Sequence, residues 1–205
     1  MLEYERYYKN YLKGYENMML VATAIQFGIR ETRRIMGDYV LCADDYEKRA
    51  VFEDEIGRYN YWIDVHMSFP GSRAYEDHVK LRNTPMQDGE SYGIPYRTLT
   101  PRGLRNVLVA GRCVSTDRPL QASIRVMPGC FITGQAAGVA ASLAVGTADG
   151  DVRGFLVSDL QRRLKGMGAF LPNFKGDGLA MPVPALQAGT IGPIDVSGKT
   201  APRFD

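Results

Sequence analysis

Histidine, cysteine and net charge are all scarce in this chain, and each shortage removes a class of function. Two histidines, His66 and His78, stand among 205 residues, too few for a histidine-based metal centre. The three cysteines, Cys42, Cys113 and Cys130, form no C-x-x-C pair, so neither a zinc site nor a disulfide framework is indicated. The 25 basic and 23 acidic residues leave a net charge of +2, without the localised basic excess that nucleic acid demands. The opening residues "MLEYERYYKNYLKGYENMML" show no basic segment followed by an apolar core, which argues against a secretory signal. Together with the unpaired thiols this makes a cytoplasmic location the expectation. No hydrophobic run reaches the roughly 20 residues of a membrane span; the longest, 130–145, is interrupted by Thr133, Gln135 and Ser142. No internal repeat is present. What remains is an ordinary globular composition, 45% hydrophobic, sufficient for a buried core.

Periodicity supplies a first map of elements. Tyr4, Tyr8, Tyr11 and Tyr15 recur with Leu12 at helical spacing. Stacking of bases on these tyrosines is one reading; the balanced charges favour an amphipathic helix packed on a neighbour. Residues 21–41 alternate loosely around Gly28 and Gly37, predicting strand, turn and strand. Residues 43–57 predict one helix, with Asp44 or Asp45 as N-cap and Gly57 as terminator. "YNYWIDVHM", 59–67, is aromatic and β-branched and predicts a strand. Residues 69–91 carry turn signals throughout, and 92–101 predicts an edge strand because Pro95 cannot donate to a ladder. The continuously apolar "NVLVAG", 106–111, predicts a strand buried on both faces. Helices are expected over 128–145 and 152–165, the latter with Leu156, Leu160 and Leu164 on one stripe. Five prolines and five glycines in residues 172–205 predict an extended or disordered tail.

The stretch "IRVMPGCFITGQAAGVAASLAVG", 124–146, admits three readings: a membrane span, an ordinary buried helix, or a helix whose N-terminus faces a bound anion. Pro128 suits the first helical position, where its missing N–H costs nothing. Met127 before it is held extended. Gly129 and Cys130 then present free N–H groups at the positive end of the macrodipole. Gly134, Ala137, Gly138 and Ala141 fall on one face, which suits close packing against a flat partner such as the strand ending in Gly111. A helix start aimed at the carboxyl end of a strand binds electron-rich groups.

The block "LRNVLVAGRCVSTDRPLQASIRVMPGCFITGQAAGVAASLAV" resembles the C-terminal signature of FAD-dependent oxidoreductases related to the succinate dehydrogenase/fumarate reductase flavoproteins. The resemblance continues upstream through "IRETRRIMGDYVL", "YWIDVH" and "YGIPYRTLTP" and downstream through "LQRRLKGMGAFLP", covering about residues 15–172. It implies an α/β fold, mixed α+β: the C-terminal part of a Rossmann-like FAD-binding domain, residues 101–171, joined to part of a substrate or cap domain with antiparallel strands, residues 1–100. It also implies FAD as cofactor, hydride transfer between flavin and a small-molecule substrate, and a flavin-facing set of Gly111, Arg112, Met127, Pro128, Gly129 and Cys130. Reduced flavin carries negative charge at its pyrimidine edge, which fixed positive dipoles at such a helix start stabilise.

Two departures bear on what the chain does alone. The strand, G-x-G-x-x-G turn and helix that hold the ADP portion of FAD are missing. The only G-x-G sequences, 166–168 and 176–178, lie in no such context. The expectation is therefore either part of an oxidoreductase or a non-catalytic relative, completed by a partner chain carrying the dinucleotide-binding half. At "STDRPLQAS" the family more often has a histidine-containing turn; here Asp117 and Arg118 stand instead.

The candidate catalytic residues are His66, Arg97 and Arg125. Asp64 and His66 share one face of the expected strand, so the carboxylate can orient the imidazole for proton transfer; an ordinary strand-end hydrogen bond is the alternative. Arg97 and Arg125 offer forked donors to an anionic substrate group or to the flavin, with a structural salt bridge as the alternative for each. Arg30, Arg33 and Arg34 with Glu31 read as an ion-pair network. Cys130 at a helix start is expected to have a lowered pKa, with no second cysteine spaced for disulfide chemistry.

Overall fold

The computed structural model describes residues 1–65 and 84–179. Helices dominate it. They are α1 (Leu2–Tyr11), α2 (Ala43–Glu47), α3 (Arg118–Ile124), α4 (Met127–Thr147) and α5 (Val157–Gly166), with short 3-10 turns at Tyr96–Thr98 and Gly111–Cys113. One antiparallel pair, β1 (Glu55–Tyr59) and β2 (Tyr92–Pro95), makes a two-stranded sheet. The fold is thus mixed helix and strand with antiparallel pairing, as expected.

The sheet is short because its own sequence limits it. Pro95 ends β2, where a missing N–H is tolerated. On β1 the register slips between Glu55 and Gly57, so Ile56 is an extra, bulged residue. The bulge turns Gly57 toward α4, where a Cβ would overlap the Ile132 side chain. A single hydrophobic cluster then joins Leu41, Ile56, Ile94, Leu120, Ala136 and Leu160, drawing on residues from both sides of position 100. Its aromatic part is Tyr46 and Tyr59, each packed on Tyr92 at centroid distances of 5.7 and 6.1 Å.

Several elements differ from the sequence pattern, each for a physical reason. Residues 21–41 form no strand pair. Backbone bonds from Ile35, Asp38, Tyr39 and Leu41 go to the carbonyls of Cys113, Thr100, Arg97 and Ser115, scattered over two segments instead of one ladder. The helix expected over 43–57 stops after Glu47, because Arg49 turns to φ 52. Cys42 is the N-cap, and Asp45 reaches back to the Cys42 N–H. Gly57 lies inside β1, so the strand sits upstream of its expected place; Asn60–Val65 carry no ladder. Residues 106–110 likewise pair with no strand among the described residues, and Gly111 at φ 73 opens the 3-10 turn. Among the described residues the one backbone bond from this run is Val109 N–H to Leu99 O, 2.9 Å; continuous apolarity marks a strand that wants neighbours, and it does not create them.

The helix α4 matches its expected span within two residues, but its faces are reversed from the expectation. Gly129, Thr133, Ala136, Ala140, Leu143 and Ala144 face the core, whereas a Cβ on Gly134 or Gly138 would meet nothing within 4 Å. Alanines are small enough for the close approach to β1, leaving the glycines outside. At 21 residues, with an 18-residue window of mean hydropathy 1.4, α4 is long and apolar enough, by length and composition alone, to cross a membrane. The core face just named accounts for its buried third. Helix α5 begins at Val157, five residues later than expected, since a turn closed by Gly154 N–H on Asp151 O precedes it. Leu160 and Leu164 are fully buried, while Leu156, outside the helix, is exposed. Helix α1 buries none of its residues; its Tyr8 packs against Tyr4 and against Tyr15, which lies beyond the helix end. Of the expected tail, 172–179 is irregular and returns to α5 through Leu179 N–H on Arg162 O, 2.9 Å.

Candidate functional site

The chain turns sharply between α3 and α4, and the groups most suited to chemistry gather at that corner. Helix α3 starts from Asp117, whose carboxylate accepts from Leu120 N–H at 2.8 Å and from Ala43 N–H at 2.9 Å. One side chain therefore fixes two helix starts, and burial raises its pKa despite both donors. The sequence departure at 117 is thus a cap in this structure. From there α3 places Arg118, Ala122 and Arg125 on one face, one turn apart.

Arg125 ends α3 with a side chain only 9% exposed. Its Nη1 donates to Glu31 Oε2 at 2.7 Å and its Nη2 to the Asp64 carbonyl at 2.9 Å. Glu31 thus pairs with Arg125, not within the expected network of Arg30, Arg33 and Arg34. A cavity of about 240 Å³ opens here, lined by Arg30, Glu31, Val65, Arg118, Ala122 and Arg125.

Two residues later α4 begins. Pro128 sits in its first turn and no side chain caps it, so the leading N–H groups keep their positive end open. Gly129 is required there, because a Cβ would run into the Ile124 carbonyl. The Gly111 turn lies alongside. Gly111 N–H donates to Thr133 Oγ1 at 3.0 Å, and a Cβ on Gly111 would stand 4.0 Å from Cys130 Sγ. Arg112 Nε donates to the Arg125 carbonyl at 3.3 Å, and the Arg112 carbonyl accepts from Gln121 at 2.7 Å. Gly111, Arg112, Gly129 and Cys130 are thereby brought together, with Met127 and Pro128 exposed at the helix start.

The most telling group at this corner was not anticipated. Tyr59, at the end of β1, is 7% exposed, and its buried hydroxyl finds no acceptor among the described residues. Burial pushes its pKa up to about 12, with the Gly129 N–H pulling the other way, so it is a protonated donor at neutral pH. Nothing in "RYNYW" separates this tyrosine from its neighbours; only the bulge in β1 aims it at α4.

The remaining candidates lie elsewhere. Arg97 lines a different cavity with Asp38, Thr100 and Arg153. It is held by Asp54 at 2.9 Å and stacks over the Tyr39 ring at 5.2 Å, the arrangement of its salt-bridge alternative. His66 falls outside the described residues. Cys130 departs from its expectation: burial raises its thiol pKa, outweighing the opposing pull of Arg112. Among the described residues no cluster of His, Cys, Asp and Glu could hold a metal.

These residues suit the pyrimidine edge of a flavin, which presents acceptor oxygens and nitrogens. An uncapped helix start, a glycine turn that clears space and an orphaned buried hydroxyl donor are the groups such an edge needs. No G-x-G-x-x-G turn for a pyrophosphate is present in the sequence. The family model described as FAD dependent oxidoreductase matches residues 1–164. No curated protein and no solved structure matches the chain.

Proposed function

The chain belongs to the FAD dependent oxidoreductase family, and from that premise we propose that it supplies the flavin-facing and substrate-facing half of a hydride-transfer enzyme related to the succinate dehydrogenase/fumarate reductase flavoproteins. The observation that carries this reading is the Tyr59 hydroxyl, buried and unpartnered beside Gly129 at an uncapped helix start. A bound flavin supplies the hydride-accepting centre and gathers negative charge at its pyrimidine edge on reduction. The first turn of α4 and Tyr59 hold that edge by N–H and O–H donation. Gly111 keeps a side chain out of its way, and Arg112 adds positive charge. Arg125 orients the substrate through an anionic group, with its guanidinium plane fixed by the Asp64 carbonyl.

The dinucleotide-binding half comes from another segment or a partner chain, in this reading. Three surfaces support it: the unpaired run 106–110, the exposed glycine face of α4, and Phe131 at 68% exposure on that helix. The test is a fluorescence titration of the purified chain with FAD, FMN and riboflavin. Weak binding of similar strength for all three is expected, because only the isoalloxazine is recognised. Stoichiometric, tight binding of FAD alone would overturn the division of labour. Binding of none of the three would overturn the assignment of the flavin edge to this chain.

A further inference from the structure

We propose that Tyr59, Tyr61 and Trp62 form a path for one-electron oxidising equivalents, which carries them from the corner at the start of α4 to the protein surface. Its inner end is the corner read above as the flavin site, and it rests on that reading.

The three rings are in contact. The Tyr59 and Tyr61 centroids stand 6.4 Å apart with their planes 21° from parallel, and Tyr61 lies 5.7 Å from Trp62. At such spacings aromatic rings touch. Tyr59 opens the path beside Gly129. Trp62, the chain's single tryptophan, ends it at 36% exposure. Tyrosine and tryptophan are the aromatic side chains that give up one electron most readily, and each then sheds a proton, from the phenol or from the indole N–H. Ring contact lets the electron move; the fate of the proton decides where the oxidation comes to rest.

At Tyr59 the proton has no exit. Its hydroxyl is buried and finds no acceptor among the described residues. A tyrosine that has lost an electron and kept its proton stays strongly oxidising and draws an electron from a neighbouring ring. Two neighbours are in contact, Tyr61 and Tyr92. Tyr92 leads inward: it is fully buried, its hydroxyl meets Ser123 Oγ at 2.9 Å, and the next ring, Tyr46, is fully buried as well. A serine hydroxyl is no base, so that branch is closed. Tyr61 leads outward, and Ser123 Oγ pins it by donating to its carbonyl at 2.5 Å. Beyond it Trp62 reaches water, which takes the indole proton.

The step balances as follows. A strongly oxidising oxygen radical, of the class that arises when dioxygen is reduced at a flavin, takes one electron from Tyr59 and one proton from water, and leaves as the corresponding hydroxyl compound. Tyr61 refills Tyr59, Trp62 refills Tyr61, and Trp62 returns one proton to water. A small thiol in solution then gives the Trp62 radical a hydrogen atom and restores the chain. The corner is spared oxidation, and the damage is moved to a position that soluble reductants reach.

The experiment starts the oxidation at the inner end without any flavin. Cys130 follows Gly129 and lies within electrostatic reach of the Tyr59 hydroxyl. In the full chain carrying Cys42→Ser and Cys113→Ser, Cys130 is labelled with a thiol-reactive ruthenium photo-oxidant. After a flash with a soluble electron acceptor, transient absorption distinguishes tryptophan from tyrosine radicals. A tryptophan radical is expected, and it should vanish in Trp62→Phe. It should also be lost in Tyr61→Phe and in Tyr59→Phe, which keep the ring contacts and the melting temperature but put a ring that is hard to oxidise in the path. An undiminished tryptophan radical in either of these two variants would overturn the route. A tyrosine radical with none on Trp62 would overturn the direction. A conducting path in a chain that binds no flavin would remove the flavin reading and leave the path, whereas a chain that binds flavin and forms no Trp62 radical would do the reverse.

Discussion

The Gly129 backbone N–H points at the Tyr59 hydroxyl oxygen in the interior where α4 begins, while the hydroxyl's own O–H finds no acceptor among the described residues. A buried donor with no acceptor costs about 1–3 kcal/mol. Its persistence needs either a compensating ligand or an explanation in packing. The two separate cleanly in Tyr59→Phe. The ring and its contact with Tyr92 survive, so the melting temperature should stay level or rise, while flavin affinity should fall several-fold. A variant that loses stability and keeps its flavin affinity would show that the hydroxyl serves only the fold.

Sequence patterns revealed the helices of the corner well and its partners poorly. Pro128 and the small residues after it located α4, because helix starts are encoded locally. The reversal of its faces was invisible. Glycine and alanine are equally compatible with close packing, and only the bulge at Ile56 decides which side meets β1. Arg125 was legible as a cation beside that helix, whereas Glu31 comes from a point 94 residues away, and no local pattern reports such a pairing. Strands were the least legible. "NVLVAG" has the composition of a buried strand but finds no ladder among the described residues, since a strand depends on neighbours that its own residues do not specify.

The cysteines should react in an order set by burial and not by helix dipoles. Cys113 is exposed, whereas Cys42 and Cys130 are partly buried, with thiol pKa values raised above the ordinary range. A raised pKa means less thiolate at any given pH, hence slower attack. Timed alkylation at pH 8 with peptide mass spectrometry should therefore label Cys113 first. Labelling of Cys130 at or above the rate of Cys113 would restore the activated-thiol expectation.

Asp117 ties α2 to α3, and its removal should be felt in both. Asp117→Ala leaves two backbone N–H donors, those of Ala43 and Leu120, without their side-chain acceptor, and a loss of about 1–2 kcal/mol is expected for such a cap. Its pH dependence runs opposite to that of Asp38. Burial raises the Asp117 pKa, so its contribution is fullest below the unfolded value and is lost as pH rises through the folded one. Arg153 lowers the Asp38 pKa, so that contribution is present above the unfolded value and is lost as pH falls through the folded one. Between pH 7 and 4 the wild type should gain stability relative to Asp117→Asn. Below about pH 4 it should instead lose stability relative to Asp38→Asn. Thermal melts of the three proteins from pH 7 down to about 2.5 check both signs, and parallel curves would contradict both assignments.

The outer face of α4 offers a test in which stability and assembly are expected to part company. Gly134 and Gly138 sit inside a helix, where glycine is about 0.8–1.0 kcal/mol worse than alanine, and a Cβ at either would meet nothing within 4 Å. In the chain by itself, Gly134→Ala with Gly138→Ala should therefore raise stability by roughly 1–2 kcal/mol, read by urea denaturation. If a second layer of protein closes over this face in the working enzyme, the same two methyl groups stand in its path. The double variant would then be more stable alone and weaker in association with a chain or segment carrying the dinucleotide-binding half, measured by pull-down or by recovery of tight FAD binding. A variant that gains stability and associates unimpaired would move the interface off this helix, leaving the unpaired run at 106–110 as the edge to examine. A variant that loses stability would mean that the glycine face is already covered within the chain.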